Sequence, residues 1–312
     1  MALLVSGVGR LFGRAGRGGG ESPPSSVLAE VVDLARRAEE AGISQIVLPD
    51  HVCMGERTDR YPYGRFPLPP DEPWLEPMTT LAAMATATRR IRLATGVLIA
   101  PLRPAALLAK TAATLDVLSG GRLDLGVGSG WQREELEAGG VPFAARGRVL
   151  EEQLRACRVL WREAPATFEG EFVRFHRVHA WPRPVQPGGV PLWLGLAPRG
   201  ANLRRIVELA DGWLPLTPDR ESLRSELATV RRALEEAGRD PRDLAVRAGA
   251  PVVRGAGGGV EVASTLARAK EIADLGVDLV SFALGALASR REEIPELLAQ
   301  LGGLDRELRA AG

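Results

Sequence analysis

Short apolar runs alternate with longer amphipathic segments along most of this chain. Runs such as Gln45–Pro49 and Arg122–Val127 are too short for helices and have the aliphatic content of buried strands. Between them, apolar residues return at helical spacing. The pattern predicts strands at Ala2–Val8, Gln45–Pro49, Ile91–Ala100, Arg122–Val127, Pro191–Leu196, Gly212–Leu216, Leu244–Val253 and Asp278–Leu284. It predicts helices from Ser25 or Ser26 to Ala41, then Pro77–Thr88, Pro104–Leu118, Gln132–Ala138, Gly147–Trp161, Arg199–Leu209, Arg220–Ala237, Ala263–Leu275 and Arg290–Leu301. The punctuation agrees. Pro77 suits a first helical turn, and Gly42 and the Gly120-Gly121 pair stop the helices before them.

Eight strand–helix alternations imply parallel strands joined by crossover helices. That number favours a closed (β/α)8 TIM barrel with insertions after strands two and four. The first insertion, Asp50–Glu76, is long and rich in Pro, Tyr and Asp. Loops of that length are functional or disordered. A hairpin-like excursion is expected over Thr167–Pro187. Residues 1–24 are read as the first strand plus a mobile Gly/Arg-rich segment, and 25–312 as the rest of one domain. In such a barrel, chemistry sits at the C-terminal ends of the strands. That directs attention to Asp50-His51, Thr95–Pro101, Gly126–Trp131 and Gly195–Asn202.

Composition narrows the classes. Hydrophobic residues are 45% and charged residues 25% of 312, the ordinary soluble balance. The net charge of +1, from 40 basic and 39 acidic side chains, gives no reason to expect nucleic acid or an anionic membrane as a partner. Cys53 and Cys157 make neither a disulfide framework nor a metal cluster, so a cytoplasmic chain without a metal is expected. The short apolar patch at the N-terminus precedes its positive charges, the reverse of a signal peptide.

The sequence GRLDLGVGSGWQREE, Gly121–Glu135, runs a strand into a glycine turn. It fails the dinucleotide fingerprint, because Trp131 and Arg133 stand where the third glycine belongs. Gly128, Ser129 and Gly130 read either as an anion nest of backbone N–H groups or as a plain tight turn. Gly195-Leu196-Ala197, leading to Asn202, ends a strand and opens a helix, where phosphate binds readily.

The stretch from Leu93 to Glu152, LATGVLIAPLRPAALLAKTAATLDVLSGGRLDLGVGSGWQREELEAGGVPFAARGRVLEE, resembles the bacterial luciferase-like superfamily. Within it, the resemblance is to the F420-dependent oxidoreductases. IVLPDHV, PWLEPMTTLAAMA, HAWPRPVQPGGVPLWLG and IVELADGWLP support it, and it covers roughly Val27 to the C-terminus. The resemblance implies a TIM barrel that binds F420, or alternatively FMN, in its mouth. It implies a homodimer, a small organic substrate and a separate reductase supplying reduced cofactor. It implies a bulge with a non-proline cis peptide at Gly96-Val97, beside Thr95, under the ring. Asp50-His51 falls where F420-dependent members place Asp-His. His51 reads as the proton-transfer residue or as a structural His paired with Asp50.

Some of those dehydrogenases carry a Trp four residues past that His and a Glu directly after the glycine loop. Here those positions hold Gly55 and Trp131, so that mechanism is not carried over. Trp131, Trp74 and the Tyr61–Tyr63 pair are expected to wall the pocket. Glu134-Glu135 read as first-turn charges that suit the helix dipole. Three activities follow: F420-dependent hydride transfer, a reduced-FMN monooxygenase, or a flavin-binding barrel without catalysis.

Overall fold

The computed structural model describes residues 1–6, 11, 24–217 and 219–311. The Gly/Arg-rich segment and the end of the first expected strand lie outside the described residues. The strands of the main sheet are β1 (Ala2–Leu4), β2 (Gln45–Leu48), β3 (Arg92–Thr95), β4 (Leu98–Ile99), β5 (Leu123–Gly128), β8 (Leu192–Leu194), β9 (Gly212–Trp213), β10 (Ala245–Gly249) and β11 (Leu279–Ala283). All pair in parallel, in the order β3-β2-β1-β11-β10-β9-β8-β5, and β5 pairs back to β3. The sheet is therefore a closed (β/α)8 barrel.

β3 and β4 are one barrel strand interrupted at Gly96-Val97, where the peptide is cis. The sequence pattern predicts an unbroken strand over Ile91–Ala100; the bulge divides it. β6 (Ala166–Glu169) and β7 (Arg174–Val178) form a separate antiparallel hairpin inside the expected excursion.

The helices are α1 (Pro24–Glu40), α2 (Pro77–Ala87), α3 (Ala105–Ser119), α4 (Arg133–Ala138), α5 (Arg146–Arg162), α6 (Ala201–Leu209), α7 (Arg220–Glu236), α8 (Val262–Ala273), α9 (Leu284–Leu287) and α10 (Ile294–Ala311). α1 begins at Pro24, ahead of the serines expected to cap it. Pro24 fixes the φ that a first helical turn needs. The Glu76 carboxylate caps α2 by accepting from Thr79 N–H at 2.7 Å. α3 ends at Gly120, whose φ of 68° lets its N–H turn back onto Asp116 and Val117.

The large core lies between sheet and helices, with Leu81, Leu108, Leu115, Leu123, Leu154 and Trp213 all buried. A much smaller cluster, Ala2, Val47 and Ala94 with Leu4 against it, shares the barrel interior with the buried polar side chains of Gln45, Asp124 and Arg247. Such narrow interiors take small apolar side chains in layers. Above this plug the C-terminal strand ends open into the mouth.

Candidate active site

The floor of the mouth is made of backbone. Thr95 Oγ1 donates to the Gly126 carbonyl at 2.6 Å, tying β3 to β5 just before the bulge. Val97 then lies over the barrel interior. A Cβ placed on Gly128 would meet a Val97 methyl at 2.8 Å, and one on Gly195 would meet the other at 2.6 Å. The two glycines are therefore the space into which the bulge settles. Gly126 is tighter still, since its Cβ would lie 2.0 Å from the Thr95 carbonyl oxygen.

Asp50 and His51 leave β2 in opposite directions. The Asp50 carboxylate accepts from Ile99 N–H at 2.8 Å and from both terminal nitrogens of Arg103, at 2.7 and 3.0 Å. Arg103 also holds Glu76, at 3.0 Å. Both Asp50 oxygens are thus engaged in joining the loop to β4 and α2. Expected to touch cofactor, Asp50 instead braces the site from behind.

His51 Nδ1 lies 2.8 Å from Glu135 Oε2, and Glu135 Oε1 accepts from Val52 N–H at 2.7 Å. The two side chains are 7% and 1% exposed. Glu135 is therefore no solvated first-turn charge, as its place in α4 suggested. It is a buried carboxylate that orients the imidazole. Beside it, the Gln132 side-chain amide accepts from Gly55 N–H at 2.7 Å and donates to Gly55 O at 3.0 Å. A Cβ on Gly55 would lie 2.9 Å from Glu134 Cβ, so the loop is pinned where a side chain would not fit.

Over His51 the long loop builds a roof of rings. Trp74 stands 4.7 Å from the imidazole, Phe66 5.8 Å and Trp131 6.1 Å, centroid to centroid. Tyr61 joins Trp131 at 5.2 Å and Tyr63 at 5.4 Å. The edge-to-face geometry of most pairs suits the aromatic quadrupole. The structure thus brings Trp74, Tyr63 and Trp131 into one cluster with His51, and adds Phe66, which sequence reasoning missed. Trp74 Nε1 is buried without a hydrogen-bond partner among the described residues. A narrow crevice runs beneath this wall between Val5, Ser6, Pro49 and Trp74.

At the rim, Arg146 donates from Nε to Gly130 O at 3.2 Å, and its guanidinium lies 3.8 Å over the Phe143 ring. Arg133 approaches that ring at 4.6 Å. Burial, with help from Arg133's charge, holds Arg146 below its ordinary pKa range. Burial pushes the Tyr63 hydroxyl up, and the charges of Arg199 and Arg146 pull it down.

The second glycine turn is partly committed elsewhere. Leu196 is buried, and its carbonyl accepts from Trp213 Nε1 at 2.9 Å. Asn202 Oδ1 accepts from Arg205 at 2.9 Å, and its backbone N–H donates to Arg199 O. The Asn202 side chain, expected at the cofactor, faces the Arg205–Glu151 network instead. Ala197 and Ser129 stay partly exposed near the mouth.

Comparison with known proteins places the chain in a family. The model of the luciferase-like monooxygenase family matches residues 10–290. The chain belongs to that family. An uncharacterized protein of Mycobacterium tuberculosis is 39% identical over 210 residues, which is 66% of this chain and 74% of that protein. The F420-dependent glucose-6-phosphate dehydrogenase of Kineococcus radiotolerans is 31% identical over 215 residues, 67% of this chain and 59% of that one.

Among solved structures, a monooxygenase from Streptomyces bottropensis superposes with TM-score 0.74 at 21% identity, covering 89% of this chain and 92% of that one. The coenzyme F420-dependent tetrahydromethanopterin reductase of Methanopyrus kandleri gives 0.66 at 18% identity, covering 88% and 94%. Relatives in sequence thus include an F420-dependent dehydrogenase, and proteins of like fold include a monooxygenase and an F420-dependent reductase. No helix among the described residues is long and apolar enough to cross a membrane.

Proposed function

We propose that this chain is an F420-dependent oxidoreductase acting on a small organic substrate. The observation that carries the reading is the buried His51–Glu135 pair at the barrel mouth, roofed by aromatic rings. The residues present suit a planar ring with an anionic tail. The floor at Val97 is apolar, and the glycine turns at Gly128–Gly130 and Gly195–Gly200 leave backbone close to the mouth. Arg146 and Arg199 supply positive charge at the rim.

Bound F420 supplies hydride chemistry at a ring carbon, and the protein supplies binding, orientation and proton handling. His51 holds the proton exchanged with a substrate oxygen. Glu135 fixes the imidazole's tautomer and ring orientation, as carboxylate partners of histidine do. Trp74 Nε1–H, which has no acceptor among the described residues, is the second donor offered to that oxygen. Trp131, Phe66 and Tyr61 keep water away from the exchange. The matching substrate is an alcohol or carbonyl compound on an apolar carbon frame. Reduced cofactor comes from a separate reductase.

A second reading, a reduced-FMN monooxygenase, is favoured by Trp131. An aromatic ring stands there in place of the carboxylate that some F420 dehydrogenases use. Titration of the purified protein with F420 and, separately, FMN tests both. Micromolar F420 binding with weak FMN binding supports the first. The reverse, with oxygen uptake on adding reduced FMN, supports the second. Binding of neither overturns both.

A further inference from the structure

Beneath the floor sits a charge that the proposed chemistry does not use. Arg247, on β10, points into the barrel and is 5% exposed. It donates to Gln45 Oε1 and, from Nη2, to Thr95 O at 3.3 Å. Its guanidinium lies 5.7 Å from the centroid of the Trp193 ring. A Cβ on Gly96 would come within 3.0 Å of Nη2. The cation is therefore directly under the bulge, on the side away from the mouth.

Among the described residues Arg247 makes no ion pair. The anion whose charge acts on it, Asp124, is already held by Arg92, with Nε at 2.7 Å, and by Gln45 Nε2 at 2.6 Å. Arg92 and Asp124 cancel, so Arg247 leaves one positive charge uncompensated in the barrel. Burial pulls its pKa down to about 10, against the opposing charge of Asp124, so it stays protonated at neutral pH. A buried cation held only by an amide, a carbonyl and a ring face is costly. Such a charge marks a functional site when an anion has a place to sit nearby. The place here is the mouth, one peptide away.

We propose that Arg247 is the fixed counter-charge of the bound cofactor's ring, holding that ring in its anionic form. The inference rests on the mouth being a deazaflavin or flavin site. It concerns the ring alone; the tail is served by Arg146 and Arg199 at the rim. Oxidised F420 carries an ionisable ring hydroxyl, and reduced FMN is a ring anion. Charge close to the ring is one of the means by which a protein tunes such cofactors.

The test compares the full-length protein with R247Q, R247K and D124N in F420 binding, at the pH where half the free cofactor is ionised. Visible absorbance reads the ionised fraction of bound cofactor, and thermal melting reads stability alongside. R247Q is expected to bind about tenfold more weakly and to lower the ionised fraction, a change of roughly one pKa unit. R247K recovers most of the loss. D124N, which removes the opposing anion, binds more tightly and raises the ionised fraction, although it damages the same polar network.

Raising the salt leaves the R247Q deficit intact, because a buried charge is poorly screened, whereas an R146Q deficit fades. R247Q binding like the natural protein, or D124N weakening binding as R247Q does, overturns the proposal. If R247Q does not fold, the signs for D124N and R247K decide. If FMN is the occupant, reduced FMN replaces F420 with the same expected signs. Natural protein that binds neither overturns the reading of the mouth and the inference together. Binding without the sign pattern overturns the inference alone.

Discussion

The floor and the roof of the mouth are built by opposite means. The floor is backbone against backbone: Gly126 on the Thr95 carbonyl, and Gly128 and Gly195 around Val97. The roof is side chains from two loops, with Trp74, Phe66 and Tyr61 of the long loop and Trp131 of the turn after β5 packed on His51 or on one another. A floor of this kind tolerates no added atom. A roof of rings can exchange or lose members and keep its shape. The contrast suits a fold that holds one cofactor geometry and varies its substrate by loop composition.

The largest effect that sharpens this contrast is expected at the floor. G126A drives a methyl to 2.0 Å from a carbonyl oxygen. Denaturant unfolding should show a loss of about 3 kcal/mol or more, or no soluble protein, as overpacking predicts. A G126A protein as stable as the parent would break the account of the floor.

Next comes Glu135, which joins floor to roof. E135A leaves Val52 N–H and His51 unpartnered, and should lose about 2 kcal/mol of stability. E135Q keeps an acceptor for Val52 N–H, so it should lose less stability while its turnover falls about 100-fold. Equal turnover in E135Q and the parent would remove Glu135 from the chemistry.

Smaller changes belong to the roof. W74F keeps a ring but deletes the unpartnered donor. Its stability should stay within about 0.5 kcal/mol of the parent, while KM for an alcohol or carbonyl substrate rises. A lower KM would contradict the assigned role. The smallest effect is expected for Y63F at the loop tip, where the residue is 38% exposed. Melting should show no shift, and only substrate affinity should move.

The alternation of strands and helices, the helix stops and the long loop after β2 were all legible in the sequence, because each has a local cause. Helical periodicity, Pro77 at a first turn and Gly120 at a C-cap act within a few residues. The break at Gly96-Val97 was legible only through the family resemblance; apolar residues run through it without interruption. Strand ends were overestimated for a related reason. The strand expected over Leu244–Val253 shows it: apolar residues continue through Ala250, Val252 and Val253, but the strand ends at Gly249.

The site was half legible. His51 was named through the family resemblance and Trp74, Tyr63 and Trp131 from their places in the loops, and the structure brings them together. Glu135 was misread because its partner is 84 residues away; in α4 it has the look of any N-terminal glutamate. Asp50 and Asn202 were named from position as well, yet their side chains serve Arg103 and Arg205. Nothing in the local sequence tells which way a side chain leaves a strand end.

By itself, then, the sequence determined the barrel and the mouth where chemistry belongs, since periodicity and turn residues act over a few bonds. Only the tertiary structure decided which carboxylate faces His51, which faces an arginine, and that Arg247 lies buried beneath the bulge. Those choices depend on close approach between strands and loops far apart in the chain, which no local pattern records.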